Sequence, residues 1–144
     1  MSKYKILITG GGGVASELLY KLWRDQYDIH FTEADPTAVN VSIPKSSVHK
    51  VLRAEDDNFV HSLVEVCRRL NISMLIPGVD EELWHIEKIS AALPKLEILA
   101  PQHNIIAMFL DKLVCGKALA KANLVEPRTE SLINFIDNHQ STDF

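Results

Sequence analysis

Cysteine is scarce in this chain: Cys67 and Cys115 are the only two among 144 residues. Neither stands in a C-x-x-C or Cys/His ligand spacing, so neither a disulfide framework nor a metal centre is expected to organise the fold. Basic charge is in deficit as well. Fifteen Lys and Arg face 19 Asp and Glu, a formal charge of -4, and the cations are scattered, which argues against nucleic acid as a partner. No apolar run approaches the length of a membrane span, and the opening MSKYKILITG lacks the apolar stretch of a signal peptide. The chain is therefore expected in a reducing cytoplasm, with no membrane partner. There is no internal repeat and no low-complexity segment. What is present, 47% hydrophobic and 24% charged residues, is the composition of a globular domain with a real core.

Glycine is also sparse, but four of the six stand together at 10–13. The apolar run Ile6, Leu7, Ile8 predicts a short buried strand over 5–9, which the glycines then turn. Behind them Val14, Leu18, Leu19, Leu22 and Trp23 have helical spacing, with one apolar face turned toward a sheet. A strand, a glycine turn and a helix N-terminus in that order gather free N–H groups at one point, which suits an anion. Gly10-x-Gly12-x-x-Ala15 fits the G-x-G-x-x-A form of the dinucleotide fingerprint, and Glu33 and Asp35 follow at about the distance of a ribose-binding acid. The same glycines serve equally well for tight helix–strand packing.

A second strand is predicted over 28–32, then the acidic, proline-broken Glu33-Ala34-Asp35-Pro36 and a polar loop to Ser47. A third strand covers 48–52. Glu55, Asp56 and Asp57 are read as first-turn acids of a helix whose apolar face is Phe59, Leu63, Val66 and Leu70. Arg68 and Arg69 suit its C-terminal end, and Asn71 its left-handed stop. A fourth strand over 73–76 ends at Pro77-Gly78, and Asp80, Glu81 and Glu82 lead into a helix that Pro94 closes. A fifth strand is expected over 97–99. Helices over 102–110 and from Asp111-Lys112 to Asn123 follow, then an extended 125–129 and a short helix over 132–136.

This alternation predicts an α/β fold: a Rossmann-like open parallel sheet of about five strands with helices on both faces. Ligands of such sheets sit at the carboxyl ends of the strands, where strand order reverses. The glycine loop, the Glu33/Asp35 loop and the loop 78–82 all belong to that edge.

Taken together, ILITGGGG, a strand ending EADP, LIPGVDEE and FLDKLVCGKALAKANLVEPRT give a chain that resembles the N-terminal (pre-ATP-grasp) domain of the ATP-grasp superfamily. It is most similar to carbamoyl-phosphate synthase large-chain-like and related carboxylate-amine ligases. The resemblance covers nearly the whole chain: 1–124 as the pre-ATP-grasp domain, 125–144 as the extended segment and helix leading toward an ATP-grasp domain. It implies that Lys112 reaches ATP phosphates, a role suited to a compact cation, although a solvated lysine at a helix start is the plainer alternative. It also implies that Gly11, Gly12, Gly13, Asp35, Asp80, Glu81 and Glu82 face a small-molecule carboxylate or amine substrate. Glu81 and Glu82 fit ordinary first-turn acids equally well. Asn123-Leu124-Val125-Glu126-Pro127 departs from the family's Gly-Ile-Pro-x-Pro.

The resemblance further implies ATP and Mg2+ as cofactors of the full-length protein, neither bound tightly by this chain alone. No catalytic residue and no metal ligand is assigned within it. The nucleotide lobes are expected in cis or as a split subunit, so the chain reads as a fragment that is inactive alone. Two further readings stay open. One is a stand-alone NAD(P)-binding module with Gly10, Gly12 and Ala15 on the pyrophosphate and Asp35 on the ribose; the other is an oligomerisation domain, giving a homo-oligomer.

Overall fold

A computed structural model describes residues 3–124 and 129–139. They form two compact units, one reaching to Ala100 and the other beginning at Pro101.

The first unit is the expected open sheet. Its strands are β1 (Lys5–Thr9), β2 (Asp28–Glu33), β3 (Val48–Lys50), β4 (Met74–Ile76) and β5 (Glu97–Ile98), in the order β3-β2-β1-β4-β5. Every pairing is parallel. The helices are α1 (Val14–Trp23), α2 (Phe59–Leu70) and α3 (Ile86–Ala92). Because side chains alternate along a strand, β1 serves two cores. Leu7 joins Leu75, Phe59, Leu63, Val66, Cys67 and Ile89 under α2 and α3. Ile6 and Ile8 join Ile29, Phe31 and Ile43 on the opposite face, with Leu19, Tyr20 and Trp23 of α1 packed against them. Helices thus cover both faces, as expected.

Several local expectations change. On α1 the packed residues are Leu19, Tyr20 and Trp23, with Ser16 buried, while Val14, Leu18 and Leu22 are 100%, 59% and 59% exposed. The helix is rotated from the expected face, so that the small Ser16 side chain sits over the glycine bend, its hydroxyl donating to the Gly10 carbonyl at 3.4 Å. The third strand stops at Lys50, although Val51 still donates its N–H to the Glu33 carbonyl at 3.2 Å. Glu55, Asp56 and Asp57 precede α2 and do not lie in its first turn. Asp56 instead accepts the N–H of Asn58, which occupies the N-cap position. The segment read as one helix after Val79 begins as a 3-10 stretch, Asp80–His85, and becomes α-helical only from Ile86. At the end of α2, Asn71 takes φ 53°, and its N–H bonds the Arg68 carbonyl at 3.1 Å. Arg68 lies in the last turn of α2 as expected, and its guanidinium donates to the Ala92 carbonyl at the end of α3 at 3.3 Å, a contact between helices that the spacing did not predict.

The second unit contains α4 (His103–Leu110), α5 (Lys112–Lys121) and α6 (Leu132–His139). Gln102 is the N-cap of α4, so Pro101 lies just before the helix. Asp111 caps α5, its carboxylate accepting the N–H groups of Leu113 and Val114 at 2.9 and 3.1 Å. Such a cap contributes about 1 kcal/mol. Asn123 ends this stretch at φ 55°, the left-handed turn that its side chain tolerates. The expected extended segment, apart from Thr129, and the tail beyond His139 lie outside the described residues.

Candidate functional site

Two neighbouring strands carry a threonine at their carboxyl ends: Thr9 closes β1, and Thr32 is the penultimate residue of β2, before Glu33. Both side chains are buried. Strand order reverses between β1 and β4, so the loops leaving these strands meet there. The meeting requires two glycines. Gly10 has φ +66°, and a Cβ there would stand 2.8 Å from Val79 Cγ2. A Cβ on Gly78 would land on the Thr9 carbonyl oxygen. Thr9 then ties the loops together: its hydroxyl accepts the Gly78 N–H at 2.8 Å and donates to Glu82 Oε2.

Glu82 is only 6% exposed. Burial pushes its carboxyl up to about 7; the Thr9 hydroxyl acts in the opposite direction, and the nearby Glu33 and Glu81 add to the rise. Glu82 thus exchanges its proton near neutrality.

The glycine bend is already satisfied from within. Gly12 N–H donates to Glu33 Oε2 at 2.9 Å, and the other carboxylate oxygen accepts the Ala34 N–H at 2.8 Å. Gly11 N–H bonds the Thr32 carbonyl at 3.0 Å, and Gly13 N–H returns to the Gly10 carbonyl at 2.9 Å. The carboxylate of Glu33 therefore takes the Gly12 N–H, one of the donors that a dinucleotide's pyrophosphate would use. Asp35 is likewise engaged locally. Its carboxylate accepts the Thr37 N–H and hydroxyl at 3.0 and 2.7 Å, which hold it below the usual carboxylate range, with Lys50 and Arg53 adding to the effect.

Beside this bend lies a cleft of about 420 Å3. Glu33, Asp35, Arg53, Glu55, Glu81 and Glu82 supply its charged lining, and Gly10 and Thr32 also line it. Of the residues expected from sequence, Asp35, Glu81 and Glu82 share this cleft. Gly11, Gly12, Gly13 and Asp80 are not part of its lining. Gly11 backs onto Phe31, and Gly13 is the N-cap of α1. Lys112 belongs to the second unit, where its ammonium donates to the Phe109 carbonyl at 3.0 Å and is exposed. Among the described residues no group of three or more His, Cys, Asp or Glu is placed to hold a metal ion, and no helix is long and apolar enough to cross a membrane.

Thr9, Thr32 and Arg53 escaped sequence reasoning. A hydroxyl closing an otherwise apolar buried strand is a usable signal for Thr9, whereas Thr32 lies between Phe31 and Glu33 in a strand of mixed polarity. Arg53 sits in an irregular loop with no pattern around it.

This fold has a solved counterpart. The chain is similar to a variant of Rhizobium etli pyruvate carboxylase, solved with the allosteric activator acetyl coenzyme A, at a TM-score of 0.55 and 14% sequence identity. The likeness covers 93% of this chain and 15% of the carboxylase chain, so it concerns a small part of that protein. At this identity it establishes the fold. No family model and no curated protein sequence matches the chain.

Proposed function

We propose that the chain is the substrate-side domain of an ATP-dependent carboxylate-amine or carboxylate-ammonia ligase, of the ATP-grasp, carbamoyl-phosphate-synthase-like kind. The observation that supports this reading best is the fold likeness to a carboxylase along 93% of the chain. A carboxylate oxygen would attack the γ-phosphorus of ATP, releasing ADP and leaving an acyl phosphate. An amine or ammonia would then attack the acyl carbon, expelling phosphate and losing a proton. Mg2+ would spread the charge of the transferring group. In this reading ATP and Mg2+ are held by further lobes, in cis or on a partner subunit, and this domain contributes the acceptor cleft and Lys112.

For Lys112 to reach a phosphate it must leave the Phe109 carbonyl, an exchange that an exposed ammonium makes at little cost. The test is ADP release by the protein carrying this domain together with its nucleotide lobes, with and without small carboxylates. ADP formed one-for-one with an amide or carbamoyl product, and lost in Lys112→Ala, supports the reading. ADP release indifferent to carboxylate and to Lys112 overturns it.

A further inference from the structure

The cleft beside the glycine bend has a charge pattern that selects its ligand. Five carboxylates line it, from Glu33, Asp35, Glu55, Glu81 and Glu82, against the single guanidinium of Arg53. Glu33 is fixed by two backbone N–H groups and Asp35 by Thr37, so neither has to be reoriented or paid for in lost rotamer freedom when a ligand arrives. The N–H groups of the bend at Gly11, Gly12 and Gly13, which could otherwise hold an anion, are already donated to the Thr32 carbonyl, the Glu33 carboxylate and the Gly10 carbonyl. A second observation is independent of the acids. Thr32 lines the cleft with no exposed surface, and its hydroxyl has no hydrogen-bond partner among the described residues. A buried hydroxyl without a partner costs about 1–3 kcal/mol, and a donor brought to the cleft floor removes that cost.

We propose that this cleft receives a primary ammonium group, carried by the small amine that the domain presents for joining, and does not receive a phosphate or a carboxylate. The inference rests on the ligase reading only for the fate of the amine. Binding itself requires neither ATP nor the other lobes. An ammonium offers three donors, enough for two of the carboxylates on the cleft wall together with the Thr32 hydroxyl, while the others add favourable charge.

Two probes of similar length separate the possibilities: 1,4-diaminobutane and glutarate, each titrated into the 15N-labelled chain. The diamine should shift the amide signals of Gly12, Glu33, Ala34 and Glu82, and glutarate should leave them in place. Glu81→Gln, which removes an exposed acid with no hydrogen bond described, should weaken diamine binding about fivefold, and Glu33→Gln at least as much. Affinity should also rise between pH 6 and pH 8. Glu82 loses its proton in that interval; Glu33 and Glu81 oppose the resulting charge, the Thr9 hydroxyl offsets it only in part, and Arg53 is, among the described residues, the one cation in the same lining, so an added cation is favoured. Absence of diamine shifts in the parent chain, or glutarate shifts at the same amides, overturns the proposal. An amine that binds here while no ATP-dependent joining is found overturns the ligase reading alone.

Discussion

Replacing Glu82 by Gln isolates the energetic cost of a buried acid. The native carboxyl keeps its proton up to about pH 7, whereas the unfolded chain releases it near the ordinary value of 4.5. Between those two values the unfolded state binds fewer protons than the folded one, so stability falls as pH rises and levels off above 7. A gap of about 2.5 units at 1.36 kcal/mol each corresponds to about 3 kcal/mol. Glutamine cannot ionise, and its carbonyl still accepts the Thr9 hydroxyl. Glu82→Gln should therefore match the parent near pH 4.5 and exceed it by up to about 3 kcal/mol at pH 8, an increase of about 10 °C in melting temperature. Urea unfolding of both proteins from pH 4.5 to 8 measures the difference, and groups common to both cancel. Parallel stability profiles across that range would refute the burial argument. A variant less stable at every pH would show that the Thr9–Glu82 contact holds the loops by geometry that an amide cannot reproduce.

Gly78→Ala places a methyl group on the Thr9 carbonyl oxygen and should cost about 3 kcal/mol by forcing the β1 and β4 loops apart; equilibrium unfolding that shows less than 1 kcal/mol would contradict the close approach. His30 Nδ1 and His49 Nε2 lie 3.1 Å apart, and burial first, then His30 and Arg69, hold His49 below its usual range. The native state therefore resists a proton that the unfolded chain accepts, and stability should fall as pH drops below about 6.5. His49→Gln should flatten that part of the profile, as read by thermal unfolding. Lys112→Ala should change unfolding free energy by less than about 0.5 kcal/mol, since the ammonium is exposed; a larger loss would assign it a structural role.

β1 and β4 were legible because each is a continuous apolar run cut off by glycine or proline, and the remaining strands followed from the alternation of strand and helix. The face of α1 was misread because Val14, Leu18 and Leu22 form as regular a stripe as Leu19 and Trp23, and periodicity cannot choose between two overlapping stripes when a small residue such as Ser16 decides the closest approach. The 3-10 start at Asp80 was hidden for a similar reason. Three consecutive acids mark the beginning of a helix without specifying its pitch, and here the Thr9–Glu82 contact comes from a side chain 73 positions away. In the site, spacing identified Asp35, Glu81 and Glu82 as neighbours of one edge. It could not reveal that Glu33 turns back to Gly12, because that choice depends on the register of β1 against β2, in which Thr9 faces Thr32.

The internal carboxylate at the glycine bend is the point on which the assignment turns, and calorimetric titration with NAD(H) and NADP(H) addresses it most directly. With Glu33 held by Gly12 and Ala34, the heats should be flat for both nucleotides up to millimolar concentration. Micromolar binding by the parent chain, abolished when Asp35 is replaced by Ala, would mean that Glu33 yields its place to a pyrophosphate and that the domain is a dinucleotide site after all.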